Sequence, residues 1–254
     1  MQDSILNIPL PRLALALLPP LVVVWFQFRW SLGGGRSLYA IGRMVGQLLI
    51  IGYLLLFLFR SKEAWLILTV LAVMLVASAW IALHSLKSQK GFPFHASLLA
   101  IGLAGVATLA LVTQGVLDLQ PWHEPRYLIP LAGMIFANAM NSVSLAAERL
   151  QAELDHGIDF LAARRVALQA ALIPLINSLM AVGLVSLPGM MTGQILSGVS
   201  PLIAVRYQIM VMGMIYGSAG MAAILFLWLV HKEGVTTPST TARRAEDGAD
   251  DGGG

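Results

Sequence analysis

From Val166 to Val205 the chain carries no charged side chain, and in the middle of that run lies VSLPGMMTGQILSGVSP, residues 185 to 201. Pro188 and Pro201 lack the amide proton that a helix interior needs. Gly189, Gly193 and Gly198 stand among Ser and Thr, whose hydroxyls compete for backbone hydrogen bonds. The middle therefore reads as an irregular connection between two apolar spans. With no Lys, Asp or Glu to solvate it, such a connection lies at membrane depth only where protein or a water-filled cavity satisfies its backbone. The expectation is the mouth or lining of a pathway.

Other apolar runs agree with a membrane solvent. Of 254 residues, 57% are hydrophobic and 11% charged, a balance that belongs to the membrane class rather than the globular one. The spacing predicts an all-α polytopic bundle with seven spans, at about 13–28, 44–59, 64–83, 96–117, 127–147, 166–186 and 203–230. These consume most of the chain at about 20 residues per crossing. Span 1 is expected to break or kink at Pro19-Pro20, and Asp3 ahead of it with WFQFRW behind it does not suit a cleaved signal. Arg36 and Arg43 fall in a juxtamembrane turn of helix before span 2. Residues 231–254, rich in Gly, Thr and charge, have no apolar face to bury and are expected to be disordered.

Charge placement sets the orientation. Seven crossings put the termini on opposite sides, and of the 16 Lys and Arg all but Arg12, Arg60, Lys62, Arg126 and Arg206 fall on the side of the C-terminus. The positive-inside bias then predicts an outside N-terminus and a cytoplasmic C-terminus. Segment 147–165 is cytoplasmic on this reading, and 187–201 faces outward. The formal charge of +3 is spread between apolar runs and forms no stripe for nucleic acid. There is no Cys, so disulfides and thiolate chemistry are excluded. No G-x-x-x-x-G-K-[ST] loop occurs, so the chain does not hydrolyse ATP by the P-loop route.

Several constellations carry chemistry. Asn138, Asn141 and Ser142 share one face of span 5 by their three- and four-residue spacing. In hydrocarbon that face meets other helices or water, so it is either a polar lining for a solute or interhelical glue worth about 0.6 kcal/mol per contact. Asn177, Gln194 and Gln208, with Gln169, add amides in spans 6 and 7 and their connection, and complete a neutral translocation path. The central parts of the spans carry no Asp, Glu, Lys or His, which disfavours a proton-coupled carrier. Absence of a carboxylate pair or a Ser/His pair from the spans disfavours an intramembrane enzyme. Methionines crowd the last three spans. They fill packing gaps, and the adjacent Met190 and Met191 are the one pair with the softness and position of metal ligands. Gly213, Gly217 and Gly220 form a close-packing face, within the bundle or between copies. Finally, Leu150, Leu154, Ile158 and Leu161 recur at helical spacing in an otherwise charged segment. They read either as a solvated helix-loop or as a stripe that docks into a groove on a soluble partner.

The runs YLIPLAGMIFANAMNSVSLAAERL, ALIPLINSLMAVGLVSLPGMMTGQILSGVSPLIAVRYQIMVM and GRMVGQLLIIGYLL resemble those of the FetB-type ABC permeases, which include a bacterial iron-export permease and plant aluminium-tolerance permeases. The likeness runs from about Arg36 to span 7. It implies a permease subunit of the bacterial cytoplasmic membrane, paired with a second copy, that binds no cofactor itself. ATP and Mg sit on a separate cytoplasmic ATPase. Glu153-Leu154-Asp155-His156-Gly157 resembles the Glu-to-Gly part of ABC coupling loops, although the Ile-x-x-Pro spacing that follows in many importers is missing and Ile173-Pro174 comes later. The resemblance thus implies an ATPase-coupling role for Glu148, Arg149, Glu153, Leu154 and Gly157. Associated solutes are iron, other metals and, in plants, nucleotide sugars. A carrier or channel that needs no nucleotide is the alternative.

Overall fold

The computed structural model describes residues 8–59, 63–84 and 92–233, with the side chain of Leu10 left aside. Of the tail expected at 231–254, residues 231–233 instead end and cap the last helix, and the rest, the basic loop with Lys87 and Lys90, and Arg60 and Lys62 lie outside the described residues. Seven helices among the described residues are long and apolar enough to cross a membrane. The all-α expectation is met, and the chain divides into two compact units.

The first unit is built from α1 (Leu10–Leu15), α2 (Leu18–Arg29) and α3 (Gly34–Leu58), with residues 196–198 clustering beside them. Pro19 stands in the first turn of α2, where a missing amide proton costs nothing, so the expected kink is a helix restart. Trp30 to Gly33 reverses the chain. There Leu32 donates its amide to the Gln27 carbonyl at 2.8 Å, and Gly33 takes φ +77°, a conformation open to glycine. A Cβ on Gly34 would stand 2.8 Å from the Phe28 ring, so glycine is what lets α2 and α3 close together. Most of their large apolar side chains are exposed, as suits surfaces whose solvent is lipid.

The second unit contains α4 (Ala64–His84), α5 (Phe94–Ala110), α6 (Pro125–Asp155), α7 (Phe160–Ala181), α8 (Gly189–Leu196) and α9 (Pro201–Lys232). Its centre is the packing of α5 and α6 on α9, with α7 laid against α6. Water expulsion does not drive such packing in a bilayer, so close approach of small residues has to supply it. Accordingly Ala96, Ala100 and Ala104 of α5, Ala139 and Ala146 of α6, and Ala219, Ala222 and Ala223 of α9 are buried. A Cβ on Gly105 would meet the Phe136 ring at 2.7 Å, which marks the tightest part of the α5–α6 crossing. Past Ala110 the helix loosens into a π-helical turn, Leu111–Val116.

Three boundaries differ from expectation. Span 6 starts at Phe160 and ends at Ala181 rather than near Ser186. The connection after it is only partly irregular, because α8 forms a helix within it. Pro188 precedes α8 and Pro201 opens α9, so neither proline interrupts a helix interior; turns at Gly183 and Gly198, both with positive φ, supply the irregularity instead. Span 5 was expected to end near Ala147, but α6 continues unbroken to Asp155, so the helical half of segment 148–165 belongs to the same helix.

Candidate functional site

Asn138, Asn141 and Ser142 converge on one cavity of about 260 Å³ between α6, α7 and α9. Its wall is completed by Ala171, Pro174, Leu175, Ser178 and Leu179 of α7 and by Met212, Ile215 and Tyr216 of α9. That volume is room for several waters at about 30 Å³ each. Ser142 is buried, Asn138 half-buried and Asn141 exposed. The Asn138 amide donates to the Met134 carbonyl at 2.8 Å, a bond within its own helix. Ser178 and Tyr216 extend the polar lining from two further helices. Neither stood out in the sequence, where a lone Ser and a lone Tyr in apolar spans carry no pattern.

The other amides fall in different places. Gln208 is buried and lines a second cavity of about 340 Å³ with Val182, Gly183, Leu187 and Met191. Its Oε1 is enclosed and accepts no hydrogen bond, and the same holds for Oε1 of Gln194 in α8. Asn177 is exposed on α7 and belongs to the lining of neither cavity, and neither does Gln194. The amides grouped by the sequence thus line two cavities of different chemistry or, for Asn177 and Gln194, neither of those two. Met190 and Met191 are both half-buried, but only Met191 reaches the second cavity, so adjacency in sequence does not become a two-thioether pair at that site. Among the described residues, no group of three or more His, Asp or Glu gathers in metal-binding proximity.

The α6–α7 turn is built by specific backbone geometry. Gly157 has φ +77°; its amide donates to the Leu154 carbonyl at 3.0 Å, and the Ile158 amide donates to the Glu153 carbonyl at 3.1 Å. Together these form the double-bonded cap that ends a helix on a left-handed residue. Asp159 then starts α7 by accepting from the Leu161 amide at 3.0 Å, as an N-cap does. Arg149 pairs with Glu153 one turn along α6, while Glu148 is exposed.

The expected docking stripe is corrected here. Leu150 and Leu154 are buried inside this chain, because α6 stays helical and turns that edge onto its neighbours. Ile158 and Leu161 remain exposed at 39% and 49%. The turn is also tied to α9: Phe160 stacks on His231 with ring centroids 4.7 Å apart. Nearby in sequence, Glu233 meets Nε2 of His95 at 2.6 Å, which joins the start of α5 to the end of α9. The glycine face resolves differently too. Gly220 approaches Leu172, whereas a Cβ on Gly213 or Gly217 would touch nothing within 4 Å, so those two leave open surface rather than a close helix crossing.

Seven helices long and apolar enough to cross a membrane, three of which line a partly polar cavity within the second unit, define an integral membrane protein. The model of UPF0014, described as an uncharacterised protein family, matches residues 10–164 and 159–234. A Synechocystis UPF0014 membrane protein is 36% identical over 78% of this chain and 83% of its own length. The probable iron export permease protein FetB of Escherichia coli is 33% identical over 89% and 92%. Protein ALUMINUM SENSITIVE 3 of Arabidopsis thaliana is 31% identical over 86% and 84%. The chain belongs to the UPF0014 family of membrane permeases. No solved structure matches it.

Proposed function

We propose that this chain is the membrane-spanning subunit of an ATP-driven exporter of iron or another metal species, working as a pair of copies in a bacterial cytoplasmic membrane. A separate cytoplasmic ATPase, holding ATP and Mg, engages the α6–α7 turn. The observation that carries this reading is the turn itself. Ile158 and Leu161 are exposed apolar side chains at a charged helix end, held by a rigid cap, and Phe160 between them is stacked on α9. A soft apolar knob on a stiff mount is what a groove on a soluble partner can grip. Motion of that mount passes directly to α6, α7 and α9, the helices that line the polar chamber. The metal cargo is supported by the likeness to the Escherichia coli relative, a probable iron export permease protein. The placement of Lys and Arg supports a cytoplasmic position for the turn and the C-terminus.

Glu148, Arg149, Glu153 and Gly157 shape the turn in this scheme, and Leu154 anchors it from inside. Asn138, Asn141 and Ser142 give passing solute neutral hydrogen-bond partners. The test is affinity purification of the tagged chain from its native membrane. An ATPase subunit is expected to accompany the wild type and to fall at least tenfold in an Ile158→Asp/Leu161→Asp variant that still reaches the membrane. Retention of the ATPase by that variant would overturn the assigned grip. Solute flux through liposomes holding this chain alone would favour a carrier that needs no nucleotide.

A further inference from the structure

The two chambers of the second unit are neighbours along the same helix pair. Their walls share Leu179 of α7 and Met212 of α9. Along α9, Met212 stands one turn from Gln208 and one turn from Tyr216, about 6 Å from each in axial rise. Polar groups thus lie to either side of this level: Asn138, Ser142, Ser178 and Tyr216 on one side, and Gln208 on the other. At the level itself, the shared side chains are both apolar.

The second chamber is lined by apolar side chains and glycine apart from Gln208. Gln208 is 6% exposed and its Oε1 is enclosed without a donor, so that oxygen is not presented to the space, and leaving it unmet costs about 1–3 kcal/mol. An apolar constriction at the end of a polar space stops polar solutes by dewetting, without any charged gate.

We infer that Leu179 and Met212 form an apolar barrier dividing one solute path into a polar compartment nearer the α6–α7 turn and an apolar one beyond it. This rests on reading the polar chamber as a solute path. Two side chains are common to both walls, so their size controls passage between chambers.

The chain has no Cys, so introduced thiols report alone. Ser142→Cys probes the chamber nearer the turn and Val205→Cys the one beyond the barrier, each treated with a membrane-impermeant quaternary-ammonium methanethiosulfonate in right-side-out and in inverted vesicles. From the side on which Val205→Cys reacts, Ser142→Cys is expected to react at least tenfold more slowly. Adding Leu179→Ala and Met212→Ala should raise its rate about tenfold and leave the Val205→Cys rate unchanged, whereas Met212→Phe should slow it further. The Met212→Phe arm keeps the test valid where the double alanine variant fails to fold. Equal rates with Leu179 and Met212 intact, no response to either change in size, or no reaction of Val205→Cys from either side would overturn the barrier. Neither ATP nor an ATPase takes part in the labelling. Failure here therefore leaves the ATPase assignment standing, and failure of ATPase capture leaves this result readable.

Discussion

Gln208 sits where a purely structural residue would be apolar. It faces neighbours such as Val205, Ile209 and Met212, and its oxygen is enclosed without a donor. Replacing the amide by a side chain of similar length and no polar oxygen removes the penalty of an unmet acceptor, which is about 1–3 kcal/mol. Gln208→Met is therefore expected to raise the thermal midpoint of the detergent-purified protein while transport falls several-fold. A lowered midpoint would mean that Gln208 holds the fold. Sequence spacing identified Gln208 as one of several amides, and placed Asn138, Asn141 and Ser142 on a common face because helical periodicity fixes which residues share a side. It did not separate Asn177 from Ser178. Both are exposed on α7, and which of two adjacent residues lines a cavity depends on how α7 is rotated against α6 and α9, a property of packing that no single helix records.

At the scale of elements, the α6–α7 turn combines a left-handed glycine with two carbonyls that need its fold. Gly157→Ala places a Cβ in the left-handed region at a cost of about 1–2 kcal/mol. Gly157→Pro also removes the amide that donates to Leu154. The order of thermal stability expected by scanning fluorimetry is wild type, then alanine, then proline, with the proline variant losing the coupling of ATP hydrolysis to transport. Equal stability of all three would show that the cap contributes nothing. Gly157 and Asp159 carry local signals of a helix end and of the next helix start, yet span 6 was expected to begin only at about Val166 rather than at Phe160. The continuation of α6 to Asp155 was not legible, because Glu148 to Asp155 looks solvated by composition. Burial of Leu150 and Leu154 keeps it helical. In the same way Pro188 and Pro201 read as breaks in one irregular segment, whereas each precedes or opens a helix and permits α8 between them.

For the second unit as a whole, cohesion depends on small residues that bring α5, α6 and α9 together. Gly105→Val is the sharpest probe. Its first added carbon would stand 2.7 Å from the Phe136 ring, and overpacking of a close core costs about 1–3 kcal/mol. A lower thermal midpoint and a smaller membrane-inserted yield are expected, while the same change at Gly213, which has nothing within 4 Å, should leave the isolated protein's midpoint unaltered. The number of crossings was readable because each apolar run is long enough for the bilayer, and the membrane class follows from composition. The two cavities of the second unit were not readable, since the residues common to their walls are Leu179 and Met212, two ordinary apolar residues on different helices.

The length of α6 has a mechanical consequence. Its 31 residues span about 46 Å at 1.5 Å each, against a hydrocarbon thickness of about 30 Å, so it is a rod longer than the slab it crosses. From Asp155 back to Asn141 the arm is about 21 Å, and a tilt of a few degrees at the tip reaches the amides as a sub-ångström to ångström displacement about any pivot between them and Pro130. A push delivered at one end thus needs no bending of the rod to change which way the polar face looks.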